Sequence, residues 1–580
     1  MEPTFEHRRA QFKKGIDLKQ AAQSRKDASQ KLRKEKRLAL YAKRRKERAA
    51  GLLGSAAGMG GMDMAGASAE PSTSGSSSTS SPSDVPPAFG AVVPKGEFSV
   101  SDLPTVTALL LGAKDQRTKL KALIMLRKAT LILGENVHPL FSQGPALLEH
   151  IYTAMREPPL TVATPDIPDL SHSIIYEACW IISNLCSTSY TKEVMSKPDL
   201  LDYLVGHLLV HPTHSIRAIS LWILGNVSGE PATCPLLFRF ADLGPRLLAV
   251  AKDLVGRLDA GYVEDLEGDE LEILTWLVEH LAKPLDGTGQ SEDHFRWSMM
   301  NLMPVLDMVL LKPHDPKVAP GPSSVEGHSI RNEMDKAVYT NILTALSHIT
   351  ADEEDHAAML MSRPDLVAFT VEWLHRAMAE HLYDEMWPAL RLAANLTQNS
   401  SEMAQVMISA NIVGISFIVL DHPSCTTVCK KEAAFMLSNI ATDGVHYRRL
   451  LTQDYISRAV KHWSQGMGRI IRDFDYFFLA LVSHHEELPS PLMEMLSKAE
   501  FYPALTRHLT SIKDITHAKS CIKLALKLAD MGRVEELDAG GIVEPLEEIE
   551  DFPWPDPKTE VDMVKLMAHF SPPTWEEGED

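Results

Sequence analysis

A pair of residues one helical turn apart returns along this chain at a near-constant step. Trp180 and Asn184 stand in YEACWIISNLCS (176–187), Trp222 and Asn226 in ISLWILGNVSGE (219–230). The series continues, more loosely, as Trp276/His280, Thr344/His348, Arg391/Asn395, Phe435/Asn439 and Ala480/His484. Successive second members are 42, 54, 68, 47, 44 and 45 residues apart. A basal period of 42–47 residues falls in the range of armadillo and HEAT repeats, whose units must stack to bury a core. The segments between are helical in pattern. TKLKALIMLRKATLIL (118–133), KAVYTNILTALSHI (336–349) and KSCIKLALKLADM (519–531) carry apolar residues at i, i+3, i+4 and i+7. No strand alternation or Asn-Gly hairpin signal interrupts them. The expected fold is an all-α armadillo-repeat solenoid, a right-handed superhelix over residues 101–548. Two long steps mark insertions near 253–270 and 285–330, expected in loops, and 549–580 reads as a final helix and acidic tail.

Charge divides the chain differently. The whole carries −19, yet residues 1–50 hold 17 Lys/Arg against 6 Asp/Glu. That surplus of 11 leaves the other 530 residues at −30. A basic arm and an acidic body attract each other over long range. The arm has too few apolar residues to fold alone. Residues 51–100 are rich in Gly, Ala, Ser and Pro and read as a flexible linker with a span of roughly 40 Å. The N-terminus lacks the apolar core of a secretory signal, and no run of about 18 apolar residues predicts a membrane helix. Six scattered cysteines suggest buried thiols in a reducing compartment. Cys425 and Cys429 form a lone C-x3-C with no second pair, so no metal site or other cofactor is expected. Phosphate loops, zinc-protease motifs and nucleophile elbows are absent, so no enzyme is expected.

Stacked repeats bring a fixed place in each unit into line. Residues i and i+4 share a helix face. Aromatic rings on successive helices then leave slots for the stem of a Lys or Arg, with about 0.5–2 kcal/mol per cation–ring contact. An Asn amide can hold the backbone of an extended peptide. The combination suits an extended basic peptide, drawn in by an acidic body.

With RRAQFKKG at 8–15, LRKEKR at 32–37, KRRK at 43–46 and the repeat cores WIISNLCS, LWILGNVSGE and KKEAAFMLSNIATDG, the chain resembles importin α over nearly its whole length. DAGGIVEPLEEIE and VDMVKLMAHF look like that family's last repeat. The resemblance implies a nuclear import adaptor that shuttles between cytoplasm and nucleus. Trp180, Asn184, Thr191, Trp222, Asn226, Glu230 and Trp276 would then form a major groove for nuclear localisation signals. Arg391, Asn395, Glu432, Phe435 and Asn439 would form a minor groove. Arg8, Arg9, Phe12, Lys13, Lys14, Leu32, Arg33, Lys34, Lys36 and Arg37 would bind importin β. Lys43, Arg44, Arg45 and Lys46 would occupy the chain's own groove when importin β is absent. An export receptor for importin α is implied in the same way; nucleic acid and membrane partners are not expected. The chain departs from the family pattern at His280, Phe435, Ala480 and His484, which predicts weak binding of basic clusters in the minor groove. The competing expectation is an armadillo scaffold for other protein partners that binds no classical signal.

Overall fold

The computed structural model describes residues 102–570, apart from 134–144, 160–168, 260–264, 284–290, 311–324, 351–363, 400, 467, 485–488, 511–514, 551, 553 and 555. The chain divides into two units, Met1–Ser99 and Val100–Asp580, and all the described residues belong to the second. The importin-β-binding and autoinhibitory residues expected at 8–46, the linker and the acidic tail lie outside them.

The second unit is an all-α solenoid, with no strand among its described residues. One long helix per repeat forms its spine. We number these spine helices α1 (Gln116–Leu133), α2 (Ser171–Cys186), α3 (His214–Gly229), α4 (Asp265–Ala282) and α5 (Val325–Ile349). They continue as α6 (Trp387–Asn399), α7 (Thr427–Thr442), α8 (Arg469–Ser483), α9 (Ile515–Asp530) and α10 (Pro557–Ala568). Each packs on the next along the whole series. Further helices pack on the spine: Leu243–Asp259 lies against α4, Ile412–Asp421 against α7 and Gln453–Gln465 against α8. A repeating unit of two or three helices at this period is the armadillo arrangement.

The apolar spacing explains the burial. In α8, Phe474, Phe477, Phe478 and Leu481 fall at i, i+3, i+4 and i+7 and are fully buried. In α1, Leu120, Leu123, Leu126, Ala129 and Leu133 line the inner face. Three helix starts carry side-chain caps: Thr426 Oγ1 accepts from the Cys429 amide, Thr452 Oγ1 from Tyr455 and Asp556 Oδ1 from Thr559. All six cysteines are unpaired and buried. Among the described residues no single helix is long and apolar enough to cross a membrane.

The described residues of the two insertions are almost all helical rather than loop. The first lengthens Leu243–Asp259 and α4, which begins at Asp265. Leu254 and Val255, within the first insertion, are buried. The second contains the helices Ser291–Asn301 and Met303–Leu310 and the start of α5.

Candidate functional site

The paired positions are where the spine reaches solvent. Between residues 219 and 228 of α3, only Trp222 and Asn226 are more than marginally exposed. Between 432 and 441 of α7 the same holds for Phe435 and Asn439, and between 178 and 186 of α2 for Trp180. His280, His348 and Arg391 are the corresponding half-buried residues of α4, α5 and α6. Five members are buried instead: the first members Trp276, Thr344 and Ala480 and the asparagines Asn184 and Asn395. Within these windows of α2, α3 and α7, packing hides the other positions, and the fixed register lines up what remains as a ladder.

The asparagines hold the rungs together. Asn226 Nδ2 donates to the Ser183 carbonyl at 3.0 Å, Asn395 Nδ2 to that of Ser347 at 2.9 Å, and Asn439 Nδ2 to that of Ala394 at 2.9 Å. In each case the acceptor is the residue just before the preceding rung's second member. Asn184, in the first complete rung, donates to Thr130 Oγ1 of α1 at 2.8 Å. Asn341 of α5 makes the link two turns earlier, to the Glu272 carbonyl and Thr275 Oγ1 of α4 at 3.3 Å. The residue carrying the acceptor is small, as with Ser183, Ser347 and Ala394, so the next helix can reach its carbonyl. A sequence reading that assigns these amides only to a peptide misses this work. One donor hydrogen of each is directed at the neighbouring helix.

Two rungs hold a guanidinium on an aromatic face. Arg127 of α1 stacks on Trp180 of α2, 4.4 Å from the ring centre. Its Nε donates to Glu177, three residues before the Trp, at 2.5 Å. Burial pushes the Glu177 carboxyl up, against the pull of Arg127. The arrangement recurs in the second half. Arg391 of α6 lies 5.6 Å from the centre of the Phe435 ring and donates to Glu432, three residues before the Phe, at 2.8 Å. Arg469, at the start of α8, stacks on the same ring at 5.1 Å. The ladder thus pairs cation, ring and carboxylate twice, on α1/α2 and on α6/α7. Arg127 escaped the sequence reading, although it precedes Leu131 by the same four residues that separate Arg391 from Asn395.

The other predicted residues fall as follows. Trp276 leans against α3, where a Cβ on Gly225 would sit 2.3 Å from its ring. It also meets His280 edge-on at 4.9 Å. Thr191 is buried below the turn after α2, its hydroxyl donating to the Cys186 and Thr188 carbonyls at 2.8 and 2.9 Å. Thr233 repeats the device after α3, donating to the Val227 carbonyl. Glu230 follows α3 with extended backbone and is half-buried.

No known family profile matches the sequence, and no curated protein does. Among solved structures the chain is similar to an engineered protein at 14% identity and a TM-score of 0.59, covering 81% of this chain and 98% of that one. At that identity the likeness shows the fold, an all-α solenoid. A designed armadillo repeat protein in complex with the peptide (KR)4 matches at 18% identity over 41% of this chain and 94% of its own, with a TM-score of 0.35. A computationally designed armadillo repeat protein for modular peptide recognition matches at 18% identity over 41% of this chain and 96% of its own, with a TM-score of 0.36.

Proposed function

We propose that the ladder binds extended basic peptides, and that the chain is a nuclear import adaptor of the importin α kind. The observation that carries this reading is the pair of guanidinium groups seated on Trp180 and Phe435, each with a carboxylate three residues before the ring. The chain's own arginines make the contacts that a basic signal would make. The slots toward Trp222 would then take the lysine or arginine stems of a cargo signal. The amide oxygens of the half-buried Asn226 and Asn439 would accept from its backbone, while their nitrogens serve the stack. The basic arm would bind importin β, and Lys43–Lys46 would otherwise compete for the ladder. A tethered segment acts at an effective concentration of order mM, so modest intrinsic affinity suffices. Under this reading the protein shuttles between cytoplasm and nucleus and performs no catalysis.

Burial of Thr344 and Ala480 favours a narrower second reading, in which only the first rungs bind signals and later repeats serve other protein partners. Titration of full-length and arm-deleted protein with one-cluster and two-cluster signal peptides tests both. The adaptor reading expects tighter binding once the arm is removed, and importin β retained only by the full-length chain. Equal peptide affinity in the two proteins would remove the autoinhibition, and importin β bound without the arm would remove the arm's assignment.

A further inference from the structure

Three helices near the C-terminal end of the solenoid bring metal-ligating groups to one buried place. His517 and Cys521 stand one turn apart on α9, both inside. Cys521 Sγ lies 3.7 Å from His517 Nε2 and 3.8 Å from Nδ1. Asp475 of α8 is buried, with Oδ2 2.7 Å from His517 Nδ1, while its Oδ1 accepts from Trp463 Nε1 at 2.8 Å. His508, on the helix Phe501–Thr510, meets the His517 ring edge-on at 4.7 Å. Its Nε2 is buried and has no hydrogen-bond partner among the described residues.

We propose that this cluster is a transition-metal site of the zinc class, built on the converging groups of Asp475, His517 and Cys521, with Cys521 Sγ and His517 Nε2 as ligands, Asp475 as the positioning carboxylate, and the neighbouring His508 imidazole turning in to supply Nε2 as a third ligand. The Asp475–His517 contact is the outer-shell arrangement that fixes a metal-binding imidazole, since a proton held on Nδ1 leaves the Nε2 lone pair for the metal. Zinc–nitrogen and zinc–sulfur bond lengths in a tetrahedron imply an N···S edge of about 3.6 Å, close to the distance present. Metal binding draws Sγ round the ring edge toward Nε2. The ion also gives the orphaned His508 nitrogen a partner. Thiolate and carboxylate together balance a divalent charge, so the buried unit is neutral with the metal in place. Burial and Asp475 otherwise hold the Cys521 thiol protonated, and a coordinated cation reverses that. Two cysteines with a regular spacing, Cys425 and Cys429, are not involved: Cys429 Sγ donates to the Tyr383 carbonyl at 3.0 Å.

The test is cobalt titration of the full-length protein after chelator treatment. The site predicts saturation at a single equivalent, tetrahedral d–d bands with a thiolate-to-cobalt charge-transfer band, and bleaching of both by Zn2+. Cys521→Ala should lose the charge-transfer band. Asp475→Asn should keep the stoichiometry while weakening affinity about 10- to 100-fold, as outer-shell changes do. Should Cys521→Ala not fold, His508→Gln, at a half-exposed position, provides the second variant, expected to bind cobalt more weakly with the native helical circular dichroism retained. A wild-type protein of native circular dichroism that shows no charge-transfer band would overturn the site. So would a band that survives Cys521→Ala, or affinity unchanged in His508→Gln.

Discussion

Arg127 and Arg391 do one structural job in two repeats. Each joins two successive spine helices through a ring and a carboxylate. Removing Arg127 leaves Glu177 largely buried beside an apolar ring, and breaking such a pair costs on the order of 3 kcal/mol. Arg127→Ala should therefore lower the urea midpoint clearly, and Arg127→Ala with Glu177→Gln should recover part of the loss. An unshifted midpoint in the single variant would mean that the pair holds nothing together. Gly225 tests the packing behind the ladder. An added Cβ meets the Trp276 ring at 2.3 Å, so Gly225→Ala must displace a buried indole. Overpacking of this kind costs about 1–3 kcal/mol. The expected result is a lower melting temperature and a shifted tryptophan emission maximum. Wild-type stability would show that the ring moves aside without cost.

Elements carry the next level of the account. Helix α10 ends the described spine, and its start depends on one carboxylate. Asp556 accepts from the Thr559 amide at 3.0 Å and pairs with Lys519 of α9. The Lys519 ammonium, with the Thr559 contacts, holds the Asp556 carboxyl down at about 2. A depressed carboxylate contributes its stability above its ordinary value of 3.8 and loses it as pH falls toward about 2. Amide exchange in α10 should therefore accelerate between about pH 4 and 2 before the central spine helices respond. Asp556→Ala, which removes the cap at about 1 kcal/mol, should show fast exchange there already at neutral pH. Exchange in α10 unaffected by either change would assign its anchoring elsewhere.

At the scale of the molecule, much was legible in the sequence because a repeat constrains many positions at once. The aromatic/asparagine spacing located the rungs, and with them the spine helices. The insertions were harder to read. Their charged and glycine-bearing residues look like loop, yet α4 begins at Asp265 and α5 at Val325, inside the two insertions. Half the meaning of the asparagines was hidden too: their bonds run between repeats, to carbonyls 43 to 48 residues away. The cluster of Asp475, His508, His517 and Cys521 was illegible as a group. Only the i, i+4 spacing of His517 and Cys521 is visible along the chain, and the other members arrive from separate helices.

A stack in which each unit touches only its neighbours also has a characteristic stability. Terminal repeats should open before central ones, and the electrostatic attraction between basic peptide and acidic body should weaken steeply with salt. Both follow from the architecture, but the ladder is the claim on which function rests. Calorimetric titration of a lysine-rich signal peptide into the wild-type protein and into the Trp180→Ala, Trp222→Ala double variant tests it most directly. The ladder predicts saturable binding to the wild type and its loss, or a reduction of at least about tenfold, in the variant, with helical content preserved. Equal affinity in the two proteins would contradict it.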